Sequence, residues 1–186
     1  MAKDSIVIKS PREIEFMRQA GKITAGARSI ARQAIADGVS TKEIDKAVNE
    51  FIRKSGAIPT FLGYGGFPGS ACISVNEVVI HGIPGKRTIR NGDIVSVDVG
   101  ATYKGYVGDC AGTYACGEIS EEAKRLIEVT RQSFFEGLKV AKVGYRVNDT
   151  GAAIQEYVEG HGYSVVRDFV GHGVGRDMHE APEVPN

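Results

Sequence analysis

Cysteine is scarce in this chain. Cys72, Cys110 and Cys116 are the only three in 186 residues, and they form neither a CxxC pair nor an even set. A disulfide framework is thereby excluded, and reduced thiols in a cytoplasmic setting are expected. Long apolar runs are also missing. None approaches the roughly 18 residues of a membrane span, and no secretory h-region opens the chain, so neither a membrane partner nor signal-peptide export is expected. Charge of one sign is not in excess: 23 Lys and Arg balance 23 Asp and Glu. That removes the electrostatic reason to expect specificity for nucleic acid or an acidic surface. The common nucleophile and phosphate motifs are absent too, with no GxSxG, P-loop or HExxH. Gly171-His-Gly-Val-Gly175 is not a dinucleotide fingerprint, because a histidine interrupts it and no helix follows.

What is present suits one domain with a real core. Twenty-four glycines against six prolines indicate a chain that turns often and lets its backbone approach other groups closely. Ser10-Pro11-Arg12-Glu13 is a capping box with proline at the first helical position. Ile14, Met17, Ile23, Ala27, Ile30 and Ala34 then recur at helical spacing. Ser40-Thr41-Lys42-Glu43 opens a second helix carrying Ile44, Val48, Phe51 and Ile52, which ends near Gly56. Strands are expected at Ala71 to Ser74 and Val78 to Ile80. A third helix after Ser120 presents Leu126, Val129, Phe134, Leu138 and Ala141, a fourth covers about Asp149 to Glu159, and Tyr163 to Val170 reads as a strand. A shift of 106 residues lays Gly38 on Gly144, Gly56 on Gly162, and Val48, Phe51 and Ile52 on Ile154, Tyr157 and Val158. Two duplicated halves with a site between them would explain this, although two helical hairpins can share such a pattern by chance.

The chemistry concentrates in a hairpin. Ile94, Ser96 and Asp98 alternate with Val95, Val97 and Val99, the period of a strand. Tyr103-Lys104-Gly105 supplies the turn and Tyr106-Val107 the return. A turn centred on Tyr103 and Lys104 would set Asp98 directly opposite Asp109, with a bulge at Gly100 or Gly105 as the alternative. Like charges so placed destabilise a sheet. A shared proton or one or two divalent cations would offset the repulsion. Of four histidines, His81, His172 and His179 lie in Gly-rich loops or strand ends, whereas His161 follows a helix end where a cation is favoured. Aspartates with a histidine suit Mn²⁺, Fe²⁺, Co²⁺ or Zn²⁺ better than a thiolate site does.

Val97-Asp-Val-Gly100, Gly108-Asp-Cys-Ala-Gly-Thr113, Gly171-His-Gly-Val-Gly-Arg-Asp-Met-His179-Glu, Asn76-Glu-Val-Val-Ile-His81-Gly-Ile-Pro84 and Ile8-Lys-Ser-Pro-Arg-Glu13 resemble type I methionine aminopeptidase across essentially the whole chain. The resemblance implies the α+β pita-bread (creatinase/aminopeptidase) fold, one catalytic domain over 1–186 with a first half of about 1–117 and a partial second half of about 118–186. It implies two divalent cations (Co, Mn, Fe or Zn), with Asp98 chelating one, Asp109 bridging both and His172 binding the other. His179 would stabilise the tetrahedral intermediate, and His81 would bind substrate near the leaving amide. Tyr64, Cys72, Phe61, Phe67 and Met178 would line a slot for the methionine side chain, apt for a thioether. The implied partner is the N-terminal Met of nascent polypeptides, handled by a cytoplasmic monomer near the ribosome.

The same resemblance implies two further glutamate ligands downstream. Glu180 and Glu183 fall in the His179 region and are not those, so the chain reads as a fragment with weak or no activity. Two rivals remain: an X-Pro peptidase of the same fold, and a metal-free binding protein.

Overall fold

The computed structural model describes residues 5–185. Helices α1 (Pro11–Ala34) and α2 (Thr41–Lys54) both open on complete capping boxes. In each, the cap serine oxygen accepts from the backbone N–H of a glutamate three residues on, whose carboxylate accepts from the cap N–H. Two orphaned helix donors are satisfied at each start, worth about 1 kcal/mol per cap.

Strands β1 (Ile58–Pro59), β2 (Ala71–Val75), β3 (Ile94–Tyr103) and β4 (Tyr106–Ala115) follow. β3 is central, antiparallel to β4 along its whole length and to β2 and β1 in succession on its other edge. The alternation in β3 divides the sheet cleanly. Val95, Val97, Val99 and Ala101 are fully buried and join Ala71, Ile73 and Val75 of β2 in the core, together with Ala27 and Ala31 of α1 and Ile44, Val48 and Ile52 of α2. The other face of β3 carries Ser96, Asp98 and Gly100.

α1 lies hard against the sheet where Gly108 leaves no side chain: a Cβ there would fall 2.6 Å from the Ala20 backbone. Helices α3 (Glu121–Val140) and α4 (Val147–Gly160) pack on each other, and β5 (Gly171–Gly173) pairs with β6 (Glu180–Val184). The chain divides into two compact units. One is Ile8–Ser120 with Val174–Met178; the other holds Glu121–Gly173 and the residues from His179.

Shifted by 106 residues, Thr41–Lys54 falls on Val147–Gly160 and the last residue of α1 on the last of α3. The helix ends repeat as well. Gly56 and Gly162 both take positive φ, and each helix closes with an N–H to carbonyl bond five residues back, Ala57 to Ile52 and Tyr163 to Val158. That is a Schellman stop used twice.

Three expectations are corrected. Residues 78–80 form no strand, because Asn76 at φ 54° and a Val78 to Val75 turn end β2. Tyr163 to Val170 is also irregular, its first N–H being spent on the α4 stop. α3 buries the small stripe Val129, Ser133 and Gly137, with Gly137 against Ile154 of α4. The larger Leu126, Phe134 and Leu138 stay exposed.

The Gly108 contact yields a prediction. Gly108→Ala forces α1 away from β4 and should cost about 1–3 kcal/mol, lowering the thermal midpoint by several degrees in a melt followed by circular dichroism.

Candidate active site

Asp98 and Asp109 do share a sheet face, but not directly opposite each other. The register pairs Asp98 with Ala111 and Gly100 with Asp109, placing the two carboxyls on a diagonal. The cause is the turn. Lys104 (φ 49°) and Gly105 (φ 79°) both take left-handed backbone, closing a two-residue hairpin between Tyr103 and Tyr106. The expected turn lay one residue earlier, so the pairing moves by two.

The carboxyls still meet. Burial is the largest influence on Asp98 and raises its carboxyl well above the ordinary range. The Asp109 charge and a hydrogen bond between the two side chains raise it further, against the Val99 N–H, which favours the anion. The pair is thus a half-desolvated acidic site that holds a proton where a cation would otherwise balance it.

Cys72 stands opposite Asp98 across β2 and β3. Burial, then the charges of Asp98, Asp109 and Asp45, push its thiol up to about 12, and burial likewise pushes Cys110 to about 11. Both thiols are thus neutral in the metal-free chain, and Cys110, paired with Val99, belongs to the opposite face of the sheet. The charged donors available on this face are the two carboxylates, which fit a hard or borderline divalent cation.

Beside the carboxyls on the same face lies a small apolar cluster. Phe61, Cys72, Val107 and Met178 are buried together, with Phe67 and Val174 packed against them. Gly100 makes the room, since a Cβ there would meet the Phe61 ring at 2.5 Å. Four of the five residues expected in the slot are thus gathered. Tyr64 sits half exposed in a short 3₁₀ turn, where its N–H donates to the Phe61 carbonyl at 3.0 Å and its carbonyl accepts from the Phe67 N–H at 2.9 Å. Val107 and Val174 were missed, although the position of Val107 two residues before Asp109 places both on one face.

His81 is exposed and held at φ 57°. The next residue anchors it: Gly82 N–H donates to Ser74 Oγ at 3.0 Å, and Ile73 N–H donates to the Gly82 carbonyl at 2.8 Å. A Cβ on Gly82 would strike the Ile73 carbonyl at 2.2 Å, so only glycine lets this loop dock on β2.

In the other unit, His172 lies in β5 opposite Glu183 of β6. Its Nδ1 is 3.0 Å from the Gly173 carbonyl, which can only accept, so Nδ1 is the donor in that contact. The His179 ring centroid is 4.2 Å away. His161 caps α4, its Nδ1 2.7 Å from the Tyr157 carbonyl and its ring stacked on Tyr157. Among the described residues, no three His, Cys, Asp or Glu side chains are gathered at metal-binding spacing. None of the described helices is long and apolar enough to cross a membrane.

The chain is similar in sequence and fold to known proteins. The model of "Metallopeptidase family M24" matches residues 15–186. A methionine aminopeptidase of Clostridium acetobutylicum is 57% identical over 182 residues, 97% of this chain and 73% of that protein. The crystal structure of a methionine aminopeptidase from Thermotoga maritima superposes with a TM-score of 0.96 at 47% identity, covering 98% of this chain and 74% of that one. An X-Pro aminopeptidase structure from the same organism reaches 0.79 at 28% identity, and this chain covers 49% of it. The chain belongs to metallopeptidase family M24, among its methionine aminopeptidases. The fold is the pita-bread fold of that family, as the resemblance implied.

The raised Asp98 carboxyl sets a pH dependence. The folded chain keeps this proton at pH values where the unfolded chain, near the ordinary carboxylate value of about 4, has lost it. Stability of the metal-free protein should therefore fall as pH rises above about 4. Asp109→Asn should flatten that fall and raise the midpoint near pH 7.5 by about 2–4 °C for each kcal/mol relieved, in melts recorded with a chelator. An unchanged or steeper profile would refute the repulsion.

Proposed function

We propose that this chain removes the N-terminal methionine from nascent proteins and peptides. The observation that carries the reading is the apolar cluster of Phe61, Cys72, Val107 and Met178 on the same sheet face as the paired carboxyls, which would wall a slot for the methionine side chain. A slot walled by aromatic rings and a protonated thiol suits an unbranched thioether, because sulfur is polarizable and packs well on aromatic edges. Phe67 would close its rim.

Asp98, Asp109 and His172 would hold two divalent cations of the Co, Mn, Fe or Zn kind. The acidic pair and the His172 imidazole fit such ions. When bound, the cations supply an activated water and a positive field for the developing oxyanion. His179 would donate a hydrogen bond to the tetrahedral oxygen, and His81 would contact substrate at the leaving amide. The setting would be cytoplasmic, a monomer meeting nascent chains near the ribosome, with which three cysteines free of disulfides agree. The catalytic domain would be one unit of function over 1–186, its halves related by the helix repeat.

A peptide panel tests the reaction. With Mn²⁺ or Co²⁺ added, Met-Gly and Met-Ala peptides should lose methionine only slowly, in line with the weak activity the resemblance implies without its two further glutamate ligands, and Leu-Gly peptides should not. Cleavage only before proline would instead favour an X-Pro peptidase. Calorimetric titration with Mn²⁺ should give heat for the native chain that Asp109→Ala abolishes. Equal heat for both would favour a binding protein that uses no metal here.

A further inference from the structure

The five-residue strap Val174–Met178 contributes two walls of the slot, Val174 and Met178, and lies between segments that belong to the other unit. A polar clamp meets its middle. Arg176 lies 4.7 Å over the Tyr106 ring centroid, and its Nη2 is 3.4 Å from Glu13 Oε1. The Tyr106 hydroxyl donates to that same oxygen at 2.5 Å. Glu13 is in turn fixed by the Ser10 capping box at the start of α1. One residue along, the Val107 N–H donates to the Gly175 carbonyl at 2.7 Å. Consecutive residues of β4 thus hold consecutive residues of the strap, and Val107 is itself a slot wall.

We infer that Glu13, Tyr106 and Arg176 are positioning residues that fix the strap and thereby set Met178 and Val174 as walls of the methionine slot. The inference rests on the slot reading given above. An exposed ion pair alone would contribute little. This one differs because three groups converge: a buried phenol with 2% exposure, a carboxylate already held by a helix cap, and a guanidinium stacked on the ring. The Tyr106 hydroxyl, foremost among several hydrogen bonds, holds the Glu13 carboxyl down at about 2, so the clamp stays charged throughout the neutral range.

Two readouts on native protein, Arg176→Ala, Arg176→Lys and Tyr106→Phe decide the matter. The first is hydrogen exchange at the Val107 amide. The second is binding of L-methionine and the KM and kcat for a Met-Gly peptide with Mn²⁺ present. Arg176→Ala should speed Val107 exchange about tenfold and weaken methionine binding and KM about five- to tenfold, with kcat changed less than twofold. Arg176→Lys should recover part of the loss, since lysine keeps the charge over the ring but not the planar fork. Tyr106→Phe, which retains the buried ring, should behave like a milder Arg176→Ala. Unchanged exchange, or faster exchange with unchanged affinity, overturns the inference. If the native chain prefers methionine no more than serine, the slot reading fails on its own, and Val107 exchange alone then decides the clamp.

Discussion

Two carboxyl groups on one face of a buried sheet are the constraint around which the rest is arranged. Asp98 and Asp109 sit on a diagonal of the β3–β4 ladder, close enough to share a hydrogen bond, in a place that water only partly reaches. Neither helix propensity nor core packing calls for such a pair. The opposite face of the same strands supplies the hydrophobic anchorage, with four fully buried residues of β3 against α1 and α2. Burial on that face offsets the electrostatic cost on this one, and so lets an acidic site exist before any ligand is bound.

The slot follows from the same sheet. Gly100 pairs with Asp109 and, by having no side chain, admits the Phe61 ring; Cys72 pairs with Asp98; Val107 lies two residues from Asp109. Acid chemistry and apolar recognition are thus neighbours through strand register alone. On the proposed reading, a substrate whose first side chain entered this cluster would bring its backbone toward the carboxyls, the geometry an aminopeptidase needs. The strap adds the last wall from a distant part of the sequence, and the Glu13–Tyr106–Arg176 group gives it a fixed seat.

Much of this was legible in the sequence because it rests on local rules. Both capping boxes, the four helices, the two faces of β3 and the Gly stops at Gly56 and Gly162 follow from residue type at fixed spacing. The repeat of helix ends at 106 residues was readable for the same reason. What escaped depended on partners or on rare backbone. Lys104 at positive φ is uncommon for a side chain of its kind, so the turn was placed a residue early and the aspartates were set face to face. The apolar residues of 163–170 resemble a strand, but a strand needs a ladder, and Tyr163 had already given its N–H to α4. The burial of α3 through Val129, Ser133 and Gly137 is decided by how closely α4 approaches, which periodicity does not report. Candidate site residues came from motif resemblance; Val107 lay just outside those motifs and Val174, although inside one, carries no reactive side chain, so both emerged only from packing.

The central claim is that the aspartate pair is a cation site. The most direct measurement is anomalous diffraction from crystals of the chain grown with Mn²⁺. The account predicts an anomalous peak within coordination distance of both the Asp98 and Asp109 carboxylates. A peak elsewhere, or none at saturating Mn²⁺ with the two carboxyls still hydrogen-bonded to each other, would contradict it.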